Sequence, residues 1–169
     1  MTAANAQETK QTLRESERKW GEPAIAAGFT VIPSTLLAKQ HALGLDCIDI
    51  VIILQILKHW WHKENAPFPS QVQLAKTMGT NLSTVKRHLT RLRELGFITW
   101  SARSNKHGGQ AANAYDLSGL IQHVHNFAVE EIEGRKREAD ARKARARRKK
   151  PAGGRATLRL VHGKGSDDE

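Results

Sequence analysis

Cysteine is nearly absent. Cys47 is the only one in 169 residues, so no intrachain disulfide can form and a reducing cytoplasm fits the chain. Long apolar runs are also missing. The longest, VIILQIL over residues 51–57, falls well short of the ~20 residues a membrane-crossing helix needs, and it carries Gln55. The opening MTAANAQETKQTLRESE has no apolar stretch, so no secretory leader is expected. Acidic residues are outnumbered 17 to 27 by Lys and Arg, giving a formal net charge of +10 at pH 7. An excess of that sign favours a polyanionic partner, of which nucleic acid is the commonest.

Signatures of catalysis are lacking as well. No Gly-rich loop is followed by Lys-Ser or Lys-Thr, and HGKG at 162–165 has no helix behind it to present a phosphate site. No serine sits in an activated-nucleophile pattern, and Cys47 reads as a small core residue near a helix start. Eight histidines invite a metal search, with His59/His62 and His123/His125 as candidates. Neither set has a carboxylate or thiolate at ligand spacing, and if helical His123 and His125 point apart. The expectation is a protein that is not an enzyme, with no metal and no cofactor.

What is present is unevenly placed. Residues 131–150 hold ten basic and four acidic groups, six of the ten net positive charges. Residues 1–23 are polar and end in a Gly21-Glu22-Pro23 breaker; some helix is possible over Gln7–Trp20, but with no apolar stripe to dock it, 1–28 reads as a flexible arm. FTVIPSTLLAKQHALGL (29–45) starts extended before Pro33, and Ser34 or Thr35 caps a short helix over Leu36–Ala42. For DCIDIVIILQILKHWWHKEN (46–65), β-branched residues allow a buried strand. Asp46 and Asp49 tip it to helix, being spaced as N-cap and third residue of a first turn. The apolar pattern carries that helix to about residue 64, with Pro67 and Pro69 as the stop.

The informative stretch is FPSQVQLAKTMGTNLSTVKRHLTRLRELGFITW (68–100). Ser70 and Gln73 form a capping box for a helix from about Gln71, with Val72, Leu74, Ala75 and Met78 facing inward. Gly79 lets the chain turn, Asn81 caps a second helix over 82–95, and Gly96 ends it. Leu82, Val85, Leu89, Leu92 and Leu95 form one stripe of that helix. Two short helices joined by a tight Gly turn are a helix-turn-helix signature. Opposite the stripe lie Ser83, Thr84, Arg87, Thr90 and Arg91, flanked by Lys86 and Arg93, and no acid intervenes before Glu94. Guanidinium groups can grip guanine in two-pronged fashion while hydroxyls reach phosphates, so this face suits a DNA major groove. Arg87 and Arg91 are expected to read bases, and Lys86 and Arg93 to hold phosphates.

FITWSAR (97–103), a Gly108-Gly109 loop over 104–112 and NAYDL (113–117) read as strand, tip and returning strand, a wing. Arg103, Lys106 and His107 at its tip suit phosphate or minor-groove contact. A further helix opens after Leu117 with Leu120, Ile121, Val124, Phe127 and Val129 for packing. It becomes a solvated basic extension carrying Arg135, Lys136, Arg137, Arg142, Lys143, Arg145, Arg147, Arg148, Lys149 and Lys150. Glu131/Arg135, Glu133/Arg137 and Glu138/Arg142 have helix-supporting spacing. Residues 151–169 read as a disordered tail.

Ser70, Leu74, Ala75, Met78, Gly79, Asn81, Thr84, Val85, Arg87, Leu89, Leu92, Gly96 and Ile98 resemble the pattern of the bacterial winged helix-turn-helix family. With FTVIPSTLL and the Trp60-Trp61 segment, the chain is similar to a subset carried by plasmids, phages and other mobile elements. That subset includes transcriptional regulators and replication-initiator or replisome-organiser proteins. The resemblance covers residues 29–120 and implies that Ser83, Thr84, Arg87 and Arg91 face DNA. The fold expected is mainly α with a small β-hairpin wing, a flexible N-terminal arm (1–28) and a basic helical extension (121–150). The function expected is sequence-specific duplex DNA binding, as a transcriptional regulator of a mobile element. The alternatives are a replication protein on origin repeats, or a protein–protein adaptor with a nucleic-acid-binding tail. A homodimer and contact with transcription or replication machinery are the further partners expected, with no membrane.

Overall fold

The computed structural model describes residue 12 and residues 14–104 and 110–148. Lys106, His107, Lys149, Lys150 and the 151–169 tail lie outside these. The chain divides into two compact units, Met1–Ala128 and Val129–Glu169. In order come α1 (Glu22–Ala26), α2 (Ser34–Ala38), α3 (Cys47–Leu57), α4 (Gln71–Met78), α5 (Leu82–Glu94), strands β1 (Thr99–Ser104) and β2 (Gln110–Asp116), and α6 (Ser118–Arg148). Residues 14–20 are also helical, so much of the expected flexible arm is ordered as helix. Charged residues spaced a turn apart, such as Glu15 and Arg18 (2.7 Å), support a helix there without an apolar stripe.

The core of the first unit is built on α3, which packs against α4 and α5. Asp46 and Asp49 make the expected capping box: Asp49 N–H donates to Asp46 Oδ1 (2.8 Å) and Asp46 N–H to Asp49 Oδ2 (3.0 Å). Ile52, Ile53 and Ile56 are wholly buried, each contributing about 1.5–3 kcal/mol relative to exposure. The helix stops at Leu57, seven residues sooner than the 64 expected. Beyond it Lys58, His59, His62, Lys63 and Glu64 offer almost nothing to bury. His59 N–H and Trp60 N–H close three-residue turns on Ile56 and Leu57, Trp60 packs back on the core, and Trp61 is left 74% exposed. Cys47 is exposed rather than core, because it lies in the first turn beside the cap.

The hairpin pairs antiparallel, Thr99 with Asp116, Trp100 with Tyr115 and Ser101 with Ala114, with a bulge before Arg103–Ala111. Tyr115 N–H donates to the Pro67 carbonyl (2.8 Å), which ties the segment entering α4 to the root of the wing. The Tyr115 ring is buried, and burial pushes its phenol pKa above the ordinary 10.0 despite the Gln71 side chain nearby. At the start of α6, Leu120 N–H donates to the Phe97 carbonyl (2.9 Å), and Gly119 passes so close to the Gly96 carbonyl oxygen that a Cβ would overlap it. That close approach explains a glycine one residue into a helix. Leu117, Leu120 and Val124 then complete the core, whereas Ile121 stays about half exposed.

In the second unit, α6 continues without a break through Gly134 to Arg148. The Glu131–Arg135 pair forms, as does Glu133–Arg137 at 3.5 Å. The expected Glu138–Arg142 pair does not; Asp140 lies 4.0 Å from Lys143 instead. Such exposed pairs contribute little individually. The helix is held by their number and by good helix formers such as Ala, Glu, Lys and Arg.

Candidate nucleic-acid interface

The interface begins with α4 and the turn after it. Ser70 Oγ accepts from Gln73 N–H (3.0 Å), the first half of the expected capping box, and Leu74 and Ala75 are buried. Val72, expected inside, is 63% exposed, since with Leu74 and Ala75 turned inward it falls on the outer side of a two-turn helix. Gly79 adopts φ 62°, ψ 30°, a left-handed conformation that reverses the chain within one residue. Asn81 Oδ1 then accepts from Thr84 N–H (2.8 Å) and from Ser83 Oγ (2.7 Å), so Ser83's hydroxyl is held in the cap.

On α5, Val85, His88, Leu89 and Leu92 are buried, and the stripe ends there: Leu95 is 40% exposed at the C-cap. Lys86, Arg87, Thr90, Arg91 and Glu94 share one shallow groove on the outer surface. Lys86 and Arg87 are exposed, and neither has an intramolecular partner among the described residues. Thr84 and Thr90 are half-buried at the edges of this face. Arg93 lies with its guanidinium 4.5 Å from the Trp100 ring centroid, anchored to the first wing strand. Arg103 lies 4.1 Å over the Phe68 ring, near the wing bulge. Both are exposed arginines stacked on aromatic faces, an arrangement that orients the cation while leaving its edge open.

Arg91 is where the structure departs from the sequence reading. Its guanidinium is ion-paired with Asp49 Oδ2 and donates to the Gly44 carbonyl (2.5 Å). Asp49 is fully buried and also accepts from His88 Nδ1 (2.9 Å), while Asp46 lies 3.6 Å from the same nitrogen. A buried carboxylate without a cation carries a large desolvation penalty, so Arg91 is committed to Asp49 although its side chain stays 40% exposed. Arg87 has no such tie among the described residues. Burial raises the Asp46 pKa, but the Asp49 N–H bond with the fields of His88 and Arg91 outweigh it and set the group below its ordinary 3.8. The sequence reading passed over His88, although helix spacing places it on the apolar stripe, three residues after Val85 and four before Leu92.

The metal question also turns on this cluster and not on the histidine pairs weighed from sequence. Asp46, Asp49 and His88 bring three ligand-type atoms within 4.8 Å of one another. The Arg91 guanidinium already sits on Asp49 Oδ2, which an ion would need, and supplies the balancing positive charge. The donor set fits an internal salt-bridge network and does not fit a metal.

A capped helix, a left-handed glycine turn, a second helix with a polar cationic outer face, and a two-stranded hairpin after it define a winged helix-turn-helix domain. Residues 32–135 match the DnaD N-terminal domain family, and the chain belongs to that family. It is accordingly a DNA-binding protein with a replication-related domain. No curated protein matches the sequence. Among solved structures, it is similar to a possible transcriptional regulator from Methanosarcina mazei Go1 at 19% identity and a TM-score of 0.39, covering 60% of this chain and 82% of that one. MarR is similar at 19% identity and a TM-score of 0.34, covering 85% and 93% respectively. Among the described residues, no helix is long and apolar enough to cross a membrane.

Proposed function

We propose that this chain is a non-enzymatic, sequence-specific duplex DNA-binding protein that acts in the cytoplasm on plasmid, phage or nucleoid DNA in a replication role. The observation that carries the reading is the outer face of α5. Lys86 and Arg87 are exposed, and unpaired among the described residues, on the second helix of a helix-turn-helix, with Thr90 beside them. A helix laid in the major groove by this motif presents such a face to base edges. Arg87 reads bases there; Lys86, Arg93 and Arg103 hold phosphates. The basic stretch from Arg135 onward adds affinity that does not depend on sequence and falls with salt.

The DnaD N-terminal match favours replication, with repeated sites at an origin as the target and replication proteins as partners. Regulation of transcription by a homodimer is the second reading, favoured by the apolar residues Leu37 and Ile121, which remain 47% and 48% exposed. Selection from randomised duplex DNA at near-physiological salt tests both. An enriched motif in direct repeats supports the replication role, and a two-fold palindrome the dimeric regulator. Arg87→Ala is expected to cost about 1–3 kcal/mol of discrimination at one base position. Binding that fades with salt without any enriched motif refutes sequence-specific reading by α5.

A further inference from the structure

A second polar and aromatic site lies away from α5. Between the end of α3 and the root of the wing is an open cavity of about 690 Å³, within the ~300–1,000 Å³ range of ligand pockets. Its walls carry Trp61, Phe68, His59, His62, Glu64 and Arg103. Two large aromatic side chains are left in solvent here, Trp61 at 74% and Phe68 at 53% exposure. Trp61 belongs to the segment that left the helix early, and its indole edge rests about 3.9 Å from where a Cβ on Gly28 would lie. Phe68 precedes α4, and Arg103 lies over its ring at 4.1 Å from the wing strand.

We infer that this cavity binds an unpaired nucleotide of a single DNA strand, the base stacking on Trp61 and on the Phe68–Arg103 platform. The chemistry is that of single-strand recognition: aromatic faces that accept any base, next to cationic groups that follow the backbone. Arg103 supplies a planar guanidinium for stacking and an edge for phosphate, and His59 and His62 add ring N–H donors to the lining. Glu64 is the one carboxylate in the lining, and it suits the exocyclic amino group of a base rather than a phosphate. The site's place beside the wing sets it where a strand leaving a bound duplex would pass. The inference rests on the DNA-binding reading for the identity of the polyanion; of its residues only Arg103 is shared with the duplex-facing set, and Trp61 is separate from it.

The test uses the full chain and measures fluorescence anisotropy with a labelled oligo-dT and with a duplex carrying the selected motif. Trp61→Ala is expected to weaken single-strand binding about tenfold or more, leaving duplex affinity unchanged, whereas Phe68→Leu, which also removes the ring under Arg103, is expected to weaken both. Trp61→Phe keeps a stacking face and is expected to restore most single-strand binding. It also removes the quenching of intrinsic fluorescence that stacking on one of the four tryptophans produces. Arg87→Ala is expected to show the converse, losing duplex discrimination while holding the single strand. Because Trp61 is largely in solvent, its variants fold as the parent does, which an unchanged urea midpoint verifies. Single-strand affinity that is the same in Trp61→Ala and the parent overturns the inference, as does an equal loss on both DNAs. If the duplex shows no sequence preference but Trp61→Ala still loses oligo-dT, the α5 reading fails and this site stands.

Discussion

Asp49→Ala should destabilise the domain more than any surface change, and its size follows from the network it anchors. The carboxylate is fully buried and serves Asp46 N–H, His88 Nδ1 and Arg91 at once. Removing one partner of a buried pair costs about 3–5 kcal/mol, because the remaining groups lose their counter-charge. The Arg91 side chain is 40% exposed and can rehydrate, which places the expected loss near the lower end, about 3 kcal/mol. His88 cannot: its side chain is 7% exposed and its Nε2 already lacks a partner among the described residues. Against a typical total stability of about 5–15 kcal/mol, such a loss is large. At about 4–8 °C per kcal/mol for a domain of this size, Tm should fall by about 12 °C or more. Urea and thermal unfolding of the parent, Asp49→Ala, Arg91→Ala and the double variant give the coupling directly. The double variant should cost less than the two singles added, by about 1 kcal/mol or more. A loss under about 1 kcal/mol for Asp49→Ala, or strict additivity, would refute the claim that Arg91 is committed to Asp49.

Two further outcomes follow from the same geometry. Asp46 has its pKa lowered by the fold, so its contribution to stability is fully present above the ordinary 3.8 and is lost as pH falls through the lower native value. The urea midpoint of the parent should therefore drop on acidification below 3.8 more steeply than that of Asp46→Asn, and parallel slopes would exclude this role. Gly119→Ala should cost about 1–3 kcal/mol, since its Cβ meets the Gly96 backbone oxygen and cannot be relieved by a side-chain rotation. Thermal unfolding with no shift in Tm would mean that α6 docks more loosely than the Leu120–Phe97 bond indicates.

Much of this domain was legible before any coordinates. Asp46, Ser70 and Asn81 are short polar side chains placed immediately before apolar runs, and each caps its helix in the structure. Gly79 stands where a reversal was required and takes the left-handed conformation. Local rules failed where the chain's neighbours decide. The helix expected to run to 64 stops at Leu57, because Trp60 gains more by folding back on the core than by extending a helix with no surface to bury. The helical run over residues 14–20 lies in the stretch where some helix was possible from sequence, but with no apolar stripe to dock it the segment read as an arm.

The candidate interface divides along the same line. Periodicity alone puts Arg87 on the outer face of α5, because one helix fixes both faces at once. It puts Arg91 there too, one turn further on. Only the tertiary structure brings Asp49, forty-two positions earlier in the chain, under that second arginine and ties its guanidinium to a buried carboxylate at the groove's edge. The sequence thus determined the elements, their caps and the sign of the exposed face, all of which depend on residues within a turn or two of each other. The fold decided which cations stay available, because a buried carboxylate takes its counter-charge from whatever helix is packed against it, and no local pattern records that meeting.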